Sequence, residues 1–186
     1  MLSRPPNQEP APSAAAPSPT PEACAGVDPV LARLYGGGHR RCPVPNPELT
    51  LVLSREREID LYDLEQLCDA VGWSRRPLRR VRKALEHSLL VVGLWRHDER
   101  LPRLVGFARC TGDGVIEATV WDVAVHPHYQ GAGLGRALMD YVLELLQVMG
   151  TERVSLYADP GVVGFYSAQG WALEPQQKRC VFWYSP

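Results

Sequence analysis

The stretch of residues 122–136 reads DVAVHPHYQGAGLGR and decides the fold of this chain. An apolar run ends at Val125, a glycine-rich turn follows, and an amphipathic pattern runs from Leu134 to Met149 before Gly150. This order predicts a strand, a tight turn and a helix that the last glycine ends. Glycines there let successive main-chain N–H groups converge at the positive end of the helix dipole. The stretch therefore predicts a site for phosphate groups.

Two other phosphate-binding patterns fit this turn less well. A P-loop ends in Gly-Lys-Ser/Thr, whereas this turn ends in Gly135, Arg136 and Ala137. A dinucleotide-binding turn reads G-x-G-x-x-G, with an acidic residue about 20 positions on that ends the next strand. Here the third glycine comes one place early, and Glu152 precedes the next apolar run. Nucleotide hydrolysis is disfavoured, and dinucleotide binding is a weak alternative.

Composition narrows the class of protein. The chain has 186 residues, 45% hydrophobic and 22% charged, with a net charge of -1, which suits a globular protein of one domain. This charge gives no electrostatic signature of binding to nucleic acid or to a membrane surface. The five cysteines are scattered and include no C-x-x-C pair. That pattern disfavours a disulfide framework or a zinc site and indicates a reducing compartment.

Residues 1–47 differ in kind from the rest. They hold 11 of the 17 prolines, together with alanine and serine runs and almost no aromatic residues. Such a segment cannot bury enough apolar surface to offset its chain entropy, which predicts a disordered tail before a folded domain at residues 48–186. The tail lacks the apolar core of a secretory signal, and its acidic residues disfavour a transit peptide without excluding one.

Hydrophobic periodicity in residues 48–186 predicts the element order β, α, α, β, β, β, α, β, α, β. Asp60 and Ser74 are expected to cap the first two helices. Residues 88–95 and 104–110 are expected to pair as a hairpin, and residues 179–184 to form a last strand. A hairpin-rich first half and a βαβ second half indicate an α/β fold with a mixed sheet and helices on its faces.

Two motifs resemble those of the GCN5-related N-acetyltransferase (GNAT) family. Residues 130–135, QGAGLG, fit the family signature Q/R-x-x-G-x-G/A, and residues 159–171, DPGVVGFYSAQGW, are similar to its second signature. The likeness covers residues 49–184 and is greatest to the plastid and cyanobacterial subgroup that includes plant serotonin N-acetyltransferase. It implies the acyl-CoA N-acyltransferase fold, with a mostly antiparallel twisted sheet flanked by helices.

The resemblance also implies acetyl-CoA as co-substrate and no metal. In the family, the turn holds the diphosphate, and the strand before it splays from its neighbour and binds the pantetheine and the thioester oxygen. Carried over to this chain, the implied cofactor-binding residues are Val123, Ala124, Val125, Gln130, Gly131, Ala132, Gly133, Leu134, Gly135 and Arg136.

The implied catalytic residues are Tyr166 and Asp159. Tyr166 matches the family tyrosine proposed to protonate the departing thiolate. Asp159 stands where most members have Asn, and it is interpreted either as the base that takes the amine proton or as a helix N-cap. Asp122 is a second candidate base unless it points away from the cleft, and a water is a third. His126 and His128 are interpreted as solvated turn residues, with a role as base as the alternative because histidine titrates near neutral pH.

A basic run in residues 75–83, RRPLRRVRK, is interpreted as the solvated face of a helix, with preference for an acidic peptide as the alternative. The expected acceptor is an arylalkylamine or a protein lysine or N-terminal amine. The alternative function is a non-catalytic acyl-CoA-binding or regulatory module. We expect a monomer or homodimer in the cytoplasm, or in the plastid if the source is a photosynthetic eukaryote.

Overall fold

Six strands form one mixed sheet in the computed structural model, which describes residues 39–42, 50–55, 58–97 and 101–175. The strands pair in chain order: each of the first four is antiparallel to the next, whereas the fifth and sixth are parallel. They are β1 (His39–Cys42), β2 (Leu51–Arg55), β3 (Leu90–Arg96), β4 (Arg103–Gly112), β5 (Glu117–Val125) and β6 (Arg153–Leu156). The described helices are α1 (Leu61–Ala70), α2 (Leu78–Glu86), α3 (Leu134–Val148) and α4 (Val163–Ser167).

The start of the folded domain corrects the sequence-based boundary. Strand β1 lies inside residues 1–47 and pairs with β2, from His39 opposite Ser54 to Cys42 opposite Leu51. The prediction of a tail is therefore wrong for residues 39–42, because main-chain hydrogen bonds to a neighbouring strand order even a segment with little apolar surface. The rest of the predicted tail and the expected last strand at residues 179–184 lie outside the described residues.

The first two helices begin by different means. Asp60 caps α1 as predicted, because its side chain accepts from the main-chain nitrogens of Tyr62 at 2.7 Å and Asp63 at 3.2 Å. The prediction that Ser74 caps α2 is wrong: the helix starts after Pro77, and no side chain caps it. Pro77 itself takes the N-cap position, with a non-helical ψ of 124°, and a proline side chain has no oxygen that could accept from the N–H groups of the first turn.

Helices cover both faces of the sheet. The apolar side of α3 packs on one face, where Leu134, Leu138, Val142 and Leu146 are buried. On the other face, α1 and α2 bury residues such as Leu67 and Leu85. This arrangement confirms the expected fold class, a mostly antiparallel mixed sheet flanked by helices. Within the described part of the chain, no helix is both long and apolar enough to cross a membrane.

Candidate active site

Strands β5 and β6 separate halfway along β5. Their parallel pairing runs from Glu117 opposite Arg153 to Val120 opposite Leu156, while β5 continues alone to Val125. After Val120 no described strand pairs with this edge of β5, and this open edge, from Trp121 to Val125, is called the gap below. Because no strand among the described residues covers this edge, its main-chain groups can bind a ligand.

A bulge lies in β5 where the gap opens. Ala124 pairs with Phe107 and Trp121 with Arg109, so that Asp122 and Val123 together face the single residue between them on β4. Asp122 adopts φ 53°, a left-handed conformation that is uncommon for a residue other than glycine. An extra residue of this kind bends a strand and redirects its side chains, and such bulges concentrate beside active sites.

The bulge reverses the faces of the strand. Before it, Ala118 and Val120 pack with α3, whereas after it Val125 packs with α3 and Ala124 with α1 and α2. Strict alternation would have placed Ala124 on the same face as Val120. The reversal brings Asp122 to the α1 and α2 face of the sheet, beside Arg109.

The main chain of Val125 faces the gap. The nitrogen of His126 donates to the oxygen of Val105 on β4 at 2.8 Å, so alternation along the strand turns the main-chain groups of Val125 to the opposite edge. The oxygen of Val125 accepts from Nε2 of Gln130 at 2.8 Å. Of the three strand residues implied to bind the cofactor, Val123 and Val125 fit that role, whereas Ala124 is in register with Phe107 and its side chain is buried against α1 and α2.

The glycine turn is open to solvent where a ligand would lie. Gly131 and Gly133 both have φ 78°, and a Cβ on either would meet no atom within 4 Å. Gly133 occupies the N-cap of α3 without a side-chain hydrogen bond, so the first-turn N–H groups of the helix keep their capacity to donate. Arg136 is exposed and lies 3.9 Å from Asp140, too far for a strong ion pair. Unshielded amides and an available guanidinium suit a diphosphate.

Gly135 brings the turn against α4. A Cβ on Gly135 would come within 3.3 Å of the ring of Phe165, whose centroid lies 5.0 Å from that of Tyr166. Tyr166 is buried among the side chains on the α3 face and contacts the ring of Trp171 edge-on at 6.0 Å. Burial, and to a smaller extent the negative charge of Asp159, raises the pKa of Tyr166 above its ordinary value of 10.0. Among the described residues nothing hydrogen-bonds to its hydroxyl, which leaves the phenol proton available.

Asp159 ends the segment after β6 and is exposed. It occupies the N-cap position of a single 3-10 turn, Pro160–Val162, but its side chain makes no capping hydrogen bond. The carboxylate is therefore not engaged in helix capping, which was the alternative to a role as base. Its charge acts on the pKa of Tyr166, so the two groups interact electrostatically.

A cavity of about 400 Å³ lies between α1, α2 and the sheet. Its walls include apolar side chains, and Asp122 and Arg109 line it from the strands. The carboxylate of Asp122 accepts from Nε of Arg109 at 2.5 Å and from Nη1 of Arg76 at 3.0 Å. Asp122 therefore faces the cavity with each carboxylate oxygen hydrogen-bonded to a guanidinium group. To accept a proton, Asp122 would have to lose one of these hydrogen bonds.

The sequence of the chain also matches a known family. The profile of the acetyltransferase (GNAT) family matches residues 59–171. The chain belongs to the GNAT acetyltransferases.

Individual relatives agree with this assignment. An uncharacterized N-acetyltransferase, ycf52-like, from Prochlorococcus marinus is 60% identical over 152 residues, 82% of this chain and 84% of the relative. The chloroplastic serotonin N-acetyltransferase 2 of Oryza sativa subsp. japonica is 43% identical over 129 residues, 68% of this chain and 63% of its own. The GNAT protein YhbS of Escherichia coli, solved in complex with CoA, shares the fold with a TM-score of 0.57 at 22% identity, over 74% of this chain and 77% of its own.

In this GNAT chain, His126 and His128 belong to the turn after β5. Nδ1 of His126 accepts from the main-chain nitrogen of His128 at 3.3 Å and so caps the 3-10 turn Pro127–Tyr129. Burial, together with the neighbouring His128, lowers the pKa of His126. Both rings line a second, polar cavity beside the start of α1, on the opposite face of the sheet from α3.

Sequence reasoning missed the guanidinium partners of Asp122. Arg109 and Asp122 are each a charged residue within an otherwise apolar stretch, and these stretches form antiparallel neighbours joined by a short turn. Since a charge in a buried strand needs a partner, this coincidence was a usable signal. Arg76 carried no such signal, because it lies 46 residues from Asp122 along the chain.

Proposed function

We propose that this GNAT protein transfers an acetyl group from acetyl-CoA to a primary amine by direct attack while both substrates are bound. The contact of Gly135 with Phe165 carries the proposal, because it sets the turn that suits a diphosphate beside the helix that presents Tyr166. A binding site for the carrier and a candidate proton donor thus adjoin on one side of the sheet. A GNAT protein of the same fold binds CoA, which agrees with this assignment.

The residues present fit coenzyme A. Main-chain amides in residues 130–136 would hold the diphosphate, with the guanidinium of Arg136 adding a charge-assisted contact. Leu134 would contribute its main-chain N–H alone, because its side chain is buried in the core between α3 and the sheet. Main-chain groups of Val123 and Val125 would bind the pantetheine arm along the free edge of β5. When bound, acetyl-CoA supplies the activated acetyl group as a thioester.

The transfer makes a C–N bond and breaks a C–S bond. The neutral amine nitrogen attacks the carbonyl carbon, and the N–H of Val125 stabilises the negative charge that develops on the oxygen. Collapse of the tetrahedral adduct expels the thiolate, and the nitrogen loses a proton to Asp159, directly or through water. We favour Asp159 over Asp122 for this role because the oxygens of Asp122 are held by two arginines.

Tyr166 provides the proton that the thiolate gains. An ordinary phenol has a pKa of about 10 and an ordinary thiol about 8.5, so full transfer in water would be uphill. Burial raises the basicity of the leaving group as well as the pKa of the phenol, because a thiolate expelled into a poorly hydrated site is a stronger base than the same group in water. The raised pKa of Tyr166 keeps its hydroxyl protonated at neutral pH, so that it can donate a hydrogen bond as the C–S bond breaks.

The amine would enter through the cavity between α1, α2 and the sheet. Asp122 lines this cavity and adjoins Val123, which packs on the α3 face, so the bulge connects the two sides. An arylalkylamine suits the apolar walls, and the name of the rice relative agrees with such an acceptor. A protein lysine or N-terminal amine is the other acceptor class. The rice relative is chloroplastic by name, which supports the plastid as a location for this chain, and the cytoplasm is the alternative.

Two measurements test the proposal. Calorimetry with acetyl-CoA tests the binding site, and release of free CoA with a panel of serotonin-like amines, lysine peptides and N-terminal peptides tests transfer. We expect binding and turnover of at least one class of amine. Binding without turnover of any amine would instead support a non-catalytic acyl-CoA-binding module.

A further inference from the structure

The cavity that would admit the amine carries an excess of positive charge. This cavity, the acceptor cavity below, is lined by four arginines (Arg75, Arg76, Arg80 and Arg109) and by two acidic residues, Glu65 and Asp122. Arginine is always charged at neutral pH. A positively charged lining does not favour the binding of a cationic or neutral amine. Whether the lining can bind a negatively charged group depends on which arginines are already paired with carboxylates.

One of the four arginines is neutralised by helix α1. Arg75 donates to both oxygens of Asp69, from Nε at 3.1 Å and from Nη2 at 2.6 Å, and it lies 3.7 Å from an oxygen of Glu65. This two-pronged geometry is the strongest that an arginine makes with a carboxylate. Arg75 and Glu65 therefore contribute little net charge to the acceptor cavity.

The other three arginines share one carboxylate. Arg76 and Arg109 both bind Asp122, and Arg80 pairs with no acidic residue in the part of the chain that the structure describes. With Asp69 counted beside the lining residues, four arginines face three carboxylates, so one net positive charge stays at the acceptor cavity. The side chain of Arg109 is only 16% exposed, whereas that of Arg76 is 62% exposed, and Arg80 is also exposed. The available guanidinium groups are therefore those of Arg76 and Arg80, both from the segment that forms α2.

The same cavity has an apolar wall. Leu64, Phe107 and Leu85 are buried side chains whose surfaces line it, and Trp73 packs against them. Leu78 also lines it, and it is 44% exposed in spite of its apolar character. A hydrophobic surface with a few charged groups at its rim is the usual form of a pocket for a small molecule, and its volume suits one.

We infer that the preferred acceptor is a primary amine with an aromatic or apolar body that also carries a carboxylate. This inference rests on the proposed acetyl transfer and adds its substrate class. The body lies against Leu64, Trp73 and Phe107, and the carboxylate binds Arg76 and Arg80. The amine is directed toward the bulge at Asp122. A plain arylalkylamine uses the same wall but brings no carboxylate, so Arg76 keeps only the Asp122 that it shares with Arg109, and Arg80 pairs with no acidic residue in the described part of the chain.

A pair of acceptors that differ only in charge tests this inference. 4-(2-Aminoethyl)benzoate and 4-(2-aminoethyl)benzamide share the phenethylamine frame, have similar size and carry the amine far from the group that changes. We expect kcat/KM, measured by release of CoA at low ionic strength, to be about tenfold higher for the benzoate, as for one charge-assisted hydrogen bond. Arg76→Gln and Arg80→Gln should each lower this ratio. Arg79→Gln and Arg82→Gln are matched controls, since both residues are exposed on α2 outside the cavity, and they should leave the ratio unchanged.

The outcomes separate this inference from the proposed function. Equal turnover of the two acceptors, or faster turnover of the benzamide, overturns the inference and leaves acetyl transfer standing. A preference for the benzoate that survives both Arg76→Gln and Arg80→Gln also overturns it. No turnover of any amine, with acetyl-CoA bound, overturns the proposed function and the inference together. The comparison in the unaltered protein stays decisive even if an arginine variant does not fold.

Discussion

Nε2 of Gln130 donates to the main-chain oxygen of Val125 at 2.8 Å. This bond joins the first residue of the glycine turn to the last residue of β5. It satisfies the carbonyl of Val125, which faces the gap, while the N–H of Val125 can still donate to a ligand. Gln130 therefore fixes the position of the turn relative to the strand edge, a role for its side chain in addition to the main-chain contact that the family resemblance implies.

Gln130→Ala should weaken acetyl-CoA binding by about fivefold, because losing one hydrogen bond of this kind costs about 1 kcal/mol. Calorimetric titration with acetyl-CoA measures the change. Thr151→Val is a matched control: Oγ1 of Thr151 donates to the oxygen of Gly114 at 2.9 Å, beyond the other end of α3. Thr151→Val should lose about as much free energy of unfolding as Gln130→Ala does, and it should keep the affinity of the unaltered protein for acetyl-CoA. Equal affinity in Gln130→Ala and the unaltered protein would show that this bond does not position the turn.

Gly133→Glu should abolish acetyl-CoA binding, because it places a negative charge among the amides that receive the diphosphate. The substitution also strains the backbone, since the φ of Gly133 is 78°. Gly150→Glu imposes the same strain at φ 83°, just after α3 ends, and should retain binding. Calorimetry on both variants, with their unfolding temperatures, separates charge from strain. If Gly133→Glu bound acetyl-CoA as well as Gly150→Glu does, the turn would not be the diphosphate site.

Tyr166→Phe should lower kcat by about 100-fold, in the range lost with a general acid. Its effect on the Kd for acetyl-CoA should be less than about threefold. The unfolding temperature should hardly change, because no described residue hydrogen-bonds to the hydroxyl and the ring keeps its contacts with Phe165 and Trp171. Steady-state kinetics, calorimetry and thermal unfolding together make the test. An unchanged kcat removes the acid role.

Asp159→Asn should move the basic limb of the pH profile of kcat to lower pH. The charge of Asp159 helps to raise the pKa of Tyr166 above 10.0, and the proton donor must be protonated to act. Removing that charge lowers the pKa, so the donor is lost at a lower pH than in the unaltered protein. Profiles from pH 7 to 11 measure the position of the limb, whatever the height of the plateau. Glu152→Gln, before β6, is the control, and a limb that stays in place in Asp159→Asn contradicts the coupling.

Asp122→Asn should lower the free energy of unfolding by about 2 kcal/mol, because it leaves the mostly buried guanidinium of Arg109 without a counter-charge. Asparagine tolerates the left-handed conformation at this position, so the substitution isolates the charge. Glu117→Gln breaks the exposed pair with Arg153 and should cost less than about 0.5 kcal/mol. Urea unfolding of both variants gives the comparison. Similar losses would mean that burial does not strengthen the pairs of Asp122.

Removing residues 1–36 should leave the unfolding temperature unchanged, whereas removing residues 1–47 should lower it by several degrees. The longer deletion removes β1 and exposes the edge of β2, whose Leu51, Val52 and Leu53 are buried. An uncovered apolar edge also favours aggregation. Thermal unfolding and light scattering on both truncations check this, and equal stability would show that β1 does not contribute to the domain.

Local pattern was enough for most of the elements. Periodicity and end signals located both sides of the hairpin, the long helix and its stop at Gly150. Asp60 was found as a cap because capping is a contact between near neighbours in the chain. The errors at Ser74 and at β1 have a common cause. Whether Ser74 or Pro77 precedes α2, and whether residues 39–42 pair with β2, depends on neighbouring segments of the folded chain. Hydrophobic periodicity carries no information about either choice.

The sequence by itself determined the family, the glycine turn and the candidate pair Tyr166 and Asp159, because motif spacing is fixed along one chain. Only the tertiary structure decided where β5 and β6 part, which face Asp122 takes and which arginines surround it. Those facts depend on a single inserted residue at the bulge and on Arg76 reaching a strand from a distant segment. A bulge reverses every side chain after it without altering the apolar pattern enough to be recognised, and an ion pair between distant segments exists only once the chain has folded.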